Sequence, residues 1–264
     1  MIVDGKTLAQ TILNELKETI AESKEAAPTL CAITCAPNFE TQKYLEMKKR
    51  RAATVGIALN VVELPIESTT EDVLLCIKKM CESSDGIVVQ LPLPEHIDKE
   101  LVLGAVPPGK DPDGFSYGEK RDRLLPPVVG AIDEISKLHE VEWKNKKVVI
   151  LGKGTLVGLP AARYARKKGA RVRLYEKDSL DISSLKTAEI IVSGIGQPHF
   201  ITKEMVSAGV IMFDAGTSEE GGVLVGDVHP DVAEVASLYT PVPGGIGPVT
   251  IALLLRNLIG LIRQ

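Results

Sequence analysis

Apolar residues recur about once per helical turn near the start of the chain. Leu8, Ile12, Leu16 and Ile20 predict a helix over 7–24, because residues four apart share one face. Pro28 delays the next element, and "TLCAIT" (29–34) reads as a short buried strand. "QKYLEMKKRRAA" (42–53) predicts a second helix that ends before Gly56, and "ALNVVEL" (58–64) predicts a strand. "TTEDVLLCIKKMC" (69–81) predicts a helix capped by a threonine of "STTED". "DGIVVQLPLP" (85–94) is a strand running into a proline-rich loop. Helical and extended periods alternate, which predicts an α/β unit with largely parallel strands.

Residues 104–130 break this rhythm with a dense run of Pro, Gly and charge. A connection of that length predicts a functional loop or a domain crossing. A helix is expected from about 130 to 140. Then "KKVVILG" (146–152) reads as a strand and "GTLVGLPAARYARKKGA" (154–170) as a turn and helix. "RVRLYE" (171–176), "AEIIVSGIG" (188–196) and "VIMFDAG" (210–216) are further strands, with a short helix expected at "EMVSAGV" (204–210). "ASLYTPVP" (236–243) forms the last edge. "VTIALLLRNLIGLI" (249–262) is too short to span a bilayer and is expected to pack as a helix on the first domain.

Composition changes the picture little. With 44% hydrophobic and 25% charged residues, the 264-residue chain reads as globular. A net charge of −4 argues against a nucleic-acid partner, and no segment reads as a membrane anchor. The N-terminus lacks a basic segment followed by a continuous apolar run, so a cytoplasmic protein is expected. Cys31, Cys35, Cys76 and Cys81 lack zinc-knuckle spacing and are expected to be free thiols. His96, His139, His199 and His229 show no metal-ligand spacing, so no metal is expected.

Two stretches carry candidate chemistry. "GKGTLVG" (152–158) follows a strand and opens a helix, the context of a dinucleotide turn. Gly152 can make the tight turn, Gly154 permits phosphate approach, and Gly158 lets helix and sheet come close. The plainer alternative is an ordinary strand–helix turn. Glu176 can accept a hydrogen bond from an adenosine ribose hydroxyl, which favours NAD; Lys153, Arg173 and Lys177 could meet a 2′-phosphate, which favours NADP. In the basic helix, Tyr44 and Lys48 share a face.

Read together, "YLEMK" (44–48), "QLPLP" (90–94), "GKDPDGF" (109–115), "GKGTLVGLP" (152–160) and "TPVPGGIGPVT" (240–250) carry a resemblance covering nearly the whole chain. The chain resembles the bifunctional methylenetetrahydrofolate dehydrogenase/methenyltetrahydrofolate cyclohydrolase family. The resemblance implies a two-domain α/β fold: a three-layer folate-binding catalytic domain over 1–122, completed by the helix 248–264, and a Rossmann-type NAD(P)-binding domain over 123–247. It implies reversible NAD(P)-dependent oxidation of 5,10-methylenetetrahydrofolate and hydrolysis of the methenyl product to 10-formyltetrahydrofolate. It also implies a homodimer, in the one-carbon metabolism that feeds purine biosynthesis. NADP is the expected cofactor, with NAD the alternative. An enzyme with one of the two activities and a non-catalytic folate- or nucleotide-binding protein are the competing readings.

The resemblance places the family's essential lysine at Lys48, its tyrosine at Tyr44, its glutamine at Gln90 and its pterin-binding aspartate at Asp113. A lysine needs a lowered pKa to act as a base near neutrality, and burial beside a cationic intermediate lowers it. Gln90 would hold the amine, Tyr44 would stack on or position the folate, and Asp113 would accept hydrogen bonds from the pterin. Each has a plainer reading: a packed Tyr44, a solvent-facing Lys48, a strand-ending Gln90, and an Asp113 that only turns the chain with Gly114. The nucleotide turn falls on Gly152 through Pro160, so Thr155 and Val157 are cofactor-binding positions, as are Gly194 and Ile195 after a later strand. Pro243, Gly244 and Gly245 are expected to set backbone against the nicotinamide, and Thr250 to cap the last helix. This chain departs from the family pattern in Phe39, Glu40 and Thr41 before the tyrosine and in Gly154 where serine is usual. It also departs in the shortened "LLPPVVG" (124–130) and in "FDAGTSEEGG" (213–222).

Overall fold

Leu30, Cys31, Ala32 and Ile33 are at most 1% exposed, because their strand lies at the centre of a parallel sheet. The computed structural model describes residues 1–23, 26–118, 124–176, 179 and 181–263, without the side chain of Glu40. Contacts divide the chain into two units: Met1–Ala9 with Val128–Thr250, and Gln10–Pro127 with Ile251–Gln264.

In chain order the first elements are α1 (Gly5–Ala21), β1 (Thr29–Cys35), α2 (Phe39–Val55), β2 (Ala58–Leu64), α3 (Thr70–Ser83), β3 (Gly86–Val89) and α4 (Lys99–Gly104). The parallel sheet runs β2-β1-β3. One of its faces buries Cys31, Ile33, Cys35, Ile87 and Val89 against Val73 and Ile77 of α3. Thr69 and Asp72 form a reciprocal capping box that starts α3. Gly56 ends α2 at φ 85°, a left-handed conformation that costs glycine little. The last helix, α8 (Ile246–Ile262), seats Leu258 so closely on Gly86 that a β-carbon there would lie 2.5 Å from Leu258 Cδ1.

The other unit contains α5 (Pro127–Leu138), β4 (Lys147–Leu151), α6 (Gly158–Lys167), β5 (Arg171–Tyr175), α7 (Ile182–Thr187), β6 (Ile190–Ser193), β7 (Ile211–Asp214), β8 (Ser218–Glu220), β9 (Val223–Val225) and β10 (Leu238–Tyr239). Its five-stranded parallel sheet has the order β10-β7-β6-β4-β5. Chain progression reverses at β4, with β5 on one side and β6 on the other. That is the switch point where doubly wound folds bind dinucleotides. Under this sheet Trp143 stacks on Phe213 (centroids 5.8 Å apart) and meets the Tyr164 ring edge-on at 5.2 Å.

Several expectations change. The first helix is Gly5–Ala21, and Lys24, its expected end, lies outside the described residues. "EMVSAGV" yields only a 3-10 turn at Lys203–Met205. The β8–β9 hairpin and the short helices α4 and α7 are not foreshadowed by periodicity. Thr250 does not cap the last helix: α8 begins at Ile246, and the Thr250 hydroxyl donates back to Ile246 O at 3.1 Å. The expected boundary at 122/123 falls on residues outside the described set, whereas the contact division lies at 127/128. Residues 1–9 group with the second sheet rather than the first. Ile2 bridges to Tyr239, Val3 N–H donates to Tyr239 O at 2.9 Å, and the Met1 ammonium donates to Ser237 O at 2.9 Å. Among the described residues no helix is long and apolar enough to cross a membrane.

Candidate functional site

The basic run of α2 divides by direction. Lys49 and Arg50 are exposed, and Arg51 reaches Gln10 Oε1 at 3.3 Å. Lys48 alone turns inward, at 8% exposure. Its ammonium donates to Gln90 Oε1 at 2.9 Å and lies 5.6 Å from the centre of the Tyr44 ring. The one-turn spacing of Tyr44 and Lys48 puts both side chains on one helix face. Gln90 continues β3 beyond its last strand residue, with its own N–H on Ile33 O at 2.8 Å. Its Nε2 donates to Leu91 O at 2.9 Å, which turns Oε1 toward the lysine.

Asp113 brings the opposing charge. Burial pushes the Lys48 amine below its ordinary value, and Asp113 only partly offsets this. Burial likewise raises Asp113, against the pull of Lys48. Both groups therefore lean toward their neutral forms, since desolvation outweighs their mutual attraction. Burial, with the charge of Asp113, pushes the Tyr44 phenol up to about 12. The loop carrying Asp113 is fixed from within and from α8. Gly114 N–H donates to Asp111 Oδ1 at 2.9 Å, while Asn257 Nδ2 donates to Pro112 O at 2.9 Å and Leu125 O at 3.0 Å. Burial first, and Asp113 second, push Asp111 up to about 6. Thr41, one of the departures from the family pattern, is buried, with its N–H on the capping Asn38 at 2.9 Å.

The dinucleotide positions gather in the other unit. A β-carbon on Gly158 would sit 1.7 Å from Gly152 O, and one on Gly152 would sit 2.7 Å from Gly194 O. Glycine at both positions lets the turn after β4, the start of α6 and the loop after β6 touch. Gly194 packs on Val157, where a β-carbon would lie 2.7 Å from Val157 Cγ1, and Ile195 comes next in the chain. Around Gly154 a β-carbon would meet nothing within 4 Å, so this edge of the turn has the open room a pyrophosphate needs, with Thr155 exposed beside it. The turn thus fits a dinucleotide. Glu176 holds Lys153 at 3.1 Å, Arg173 is exposed, and Lys177 lies outside the described residues. The Pro243–Gly245 segment folds over the N-terminal stretch, where a β-carbon on Gly5 would lie 1.8 Å from Gly245 O.

Four residues that sequence patterning does not single out join these clusters: Asp111, Asn257, Asp214 and Asp227. The last two are fully buried at the ends of β7 and the β8–β9 hairpin. An amide beside Arg256 inside the mostly apolar "LLLRNLIGLI" is the one available sign of Asn257. Elsewhere a cavity of about 560 Å³ opens among Asp133, Trp143, Tyr164 and Lys168. There Tyr164 donates to Asp133 at 2.7 Å, Trp143 donates to Ser136 at 3.2 Å, and Lys168 pairs with Asp133 at 3.1 Å. These groups satisfy one another. No cluster of potential metal ligands occurs among the described residues.

Comparison with known proteins agrees with this geometry. A family model described as tetrahydrofolate dehydrogenase/cyclohydrolase, catalytic domain, matches residues 3–113; its NAD(P)-binding counterpart matches 126–264. The bifunctional protein FolD of Streptococcus sanguinis is 38% identical over 97% of this chain and 95% of its own length. The bifunctional FolD structure from Campylobacter jejuni superposes with a TM-score of 0.92 at 33% identity, covering 100% of this chain and 98% of that one. The Trypanosoma brucei FolD, complexed with NADP cofactor and inhibitor, gives 0.92 at 34% identity, covering 100% of this chain and 97% of that one. The chain belongs to the tetrahydrofolate dehydrogenase/cyclohydrolase family.

Proposed function

We propose that this protein catalyses both reactions of its family: NAD(P)-dependent oxidation of 5,10-methylenetetrahydrofolate, and hydrolysis of the methenyl product to 10-formyltetrahydrofolate. The observation that carries this reading is the buried Lys48 amine on Gln90 Oε1 at 2.9 Å, under the influence of Asp113.

Hydrolysis begins when water attacks the electrophilic methenyl carbon. Lys48, as the neutral amine that burial favours, takes the water proton. The remaining hydroxyl gives up its proton as the carbonyl forms, the bond from that carbon to N5 breaks, N5 takes up a proton, and the formyl group stays on N10. Gln90 limits the amine to one direction. Asp113 accepts hydrogen bonds from the pterin, and Tyr44 presents its ring to the folate. Oxidation needs alignment more than an acid or base, since the methylene carbon loses a hydride and becomes the cation. A bound nicotinamide dinucleotide supplies the hydride acceptor. The turn at Gly152, Lys153, Gly154, Thr155, Val157 and Gly158, with Gly194, Ile195 and Pro243–Gly245, would hold it.

NADP is the cofactor proposed, with its 2′-phosphate met by Lys153 and Arg173. NAD is the second reading, and the Lys153–Glu176 pair at 3.1 Å favours it, because a carboxylate there suits a ribose hydroxyl. A homodimer and a supply of one-carbon units to purine biosynthesis belong to the same reading, on the family resemblance. Two assays test it: reduction of NAD and NADP with methylenetetrahydrofolate, and loss of methenyltetrahydrofolate absorbance. Folded protein active in neither assay refutes the proposal.

A further inference from the structure

The loop after β6 is tied down by one buried carboxylate. Asp227 is 0% exposed. Its Oδ2 accepts from the Ser193 hydroxyl at 2.7 Å and from Ile195 N–H at 2.8 Å; its Oδ1 accepts from Gln197 N–H at 2.7 Å. These three donors bracket Gly194 and Ile195. A second fully buried acid, Asp214, stands behind it and accepts from the N–H groups of Gly216 (3.0 Å), Asp227 (3.2 Å) and Val228 (3.0 Å). Two glycines make room for the pair. A β-carbon on Gly216 would lie 2.1 Å from the Asp227 carboxyl carbon, and one on Gly226 would lie 2.0 Å from Asp214 Oδ2. Gly226 also abuts Val242, next to Pro243.

We infer that Asp227 is a positioning residue for the nicotinamide dinucleotide, acting through the Gly194–Ile195 loop. This rests on the dinucleotide reading above. A buried carboxylate is worth its desolvation only where several donors meet it, and here the donors are the last residue of β6 and the loop that follows it. The loop's approach to the glycine turn, with Gly194 against Val157, therefore depends on an acceptor-only side chain. A carboxamide cannot replace it. One end of Asn would present N–H groups to an N–H or hydroxyl that now donates, leaving a buried donor unpaired.

The test is calorimetric titration of the full-length protein with NAD and with NADP, alongside cyclohydrolase kinetics. Asp227→Asn is expected to weaken dinucleotide binding by about tenfold or more. The methenyltetrahydrofolate KM and hydrolysis kcat should stay unchanged, because their side chains lie in the other contact unit. Ser193→Ala removes one neutral donor and should weaken binding about two- to fivefold, and it decides the matter should Asp227→Asn not fold. Unchanged dinucleotide affinity in either folded variant overturns the inference. So does an equal loss of hydrolysis in Asp227→Asn, which would mark a general structural role. Wild-type protein that binds neither dinucleotide would instead overturn the dinucleotide reading itself.

Discussion

Lys48 donates to Gln90 Oε1 at 2.9 Å, and the Gln90 amide is itself fixed by its bond to Leu91 O at 2.9 Å. The lysine therefore has a held direction as well as a buried site. Lys48→Met is expected to reduce methenyl hydrolysis by about 10²- to 10⁴-fold, the usual weight of a positioned proton-transfer group. Folding and the oxidation reaction should persist. In the wild type, burial holds the amine below its ordinary value of 10.5. The hydrolysis rate should therefore rise with pH and level off below that value. A Met variant with wild-type hydrolysis would remove Lys48 from the mechanism.

Asn257 gives both amide hydrogens to backbone carbonyls of the loop that carries Asp113. Asn257→Ala strands Pro112 O and Leu125 O and should cost about 1–3 kcal/mol of stability. The folate KM should rise as Asp113 loses its support, while dinucleotide affinity should hold. Chemical denaturation and steady-state kinetics check the two halves of this prediction; an unchanged folate KM would show that the loop stands without α8.

Glu176 sits 3.1 Å from Lys153, with both side chains largely exposed. An exposed pair of this kind is worth about 0–1 kcal/mol, so its main effect is on the incoming ribose rather than on stability. Glu176→Gln should raise the NADP-to-NAD ratio of kcat/KM and leave the melting temperature unchanged. A constant ratio would mean that the acid does not meet the adenosine ribose.

Asp214 makes stability depend on pH. Burial, then the Asp227 carboxylate, push it from 3.8 up to about 7. The folded protein keeps this proton over a range in which the unfolded chain has lost it. Its contribution is therefore full below about pH 3.8 and is lost as pH rises through about 7. Asp214→Asn stays neutral throughout, so its urea midpoint should gain on the wild type between about pH 4 and 7.5. Parallel midpoint curves for the two proteins over that range would show that Asp214 is not protonated when folded.

The parts legible in the sequence were those set by local rules. The span of β2 comes from β-branched residues between a helix-ending glycine and a proline. The α3 cap comes from Thr69 and Asp72 at capping-box spacing. The glycine turn was legible because a strand and a helix flank it. Lys48 was not legible from its own run of cations, since only the tertiary fold turns one of four neighbours inward. Asp214 and Asp227 were hidden for a related reason: an acid at a strand end or in a loop reads as solvent-facing unless donors distant in sequence converge on it. Ser193 and Asp227 are 34 positions apart. The short α4 and α7 carry too few turns for periodicity to register.

Each contact unit draws on both a long stretch and a distant terminal one: 1–9 with 128–250, and 10–127 with 251–264. A ribosome therefore releases the whole β2-β1-β3 sheet well before Leu258 arrives to cover Gly86 or Asn257 to clasp the Asp113 loop. The 10–127 unit is completed only after the whole 128–250 stretch has been made. A nascent chain halted near residue 250 carries Lys48 on α2 in a unit still missing its closing helix.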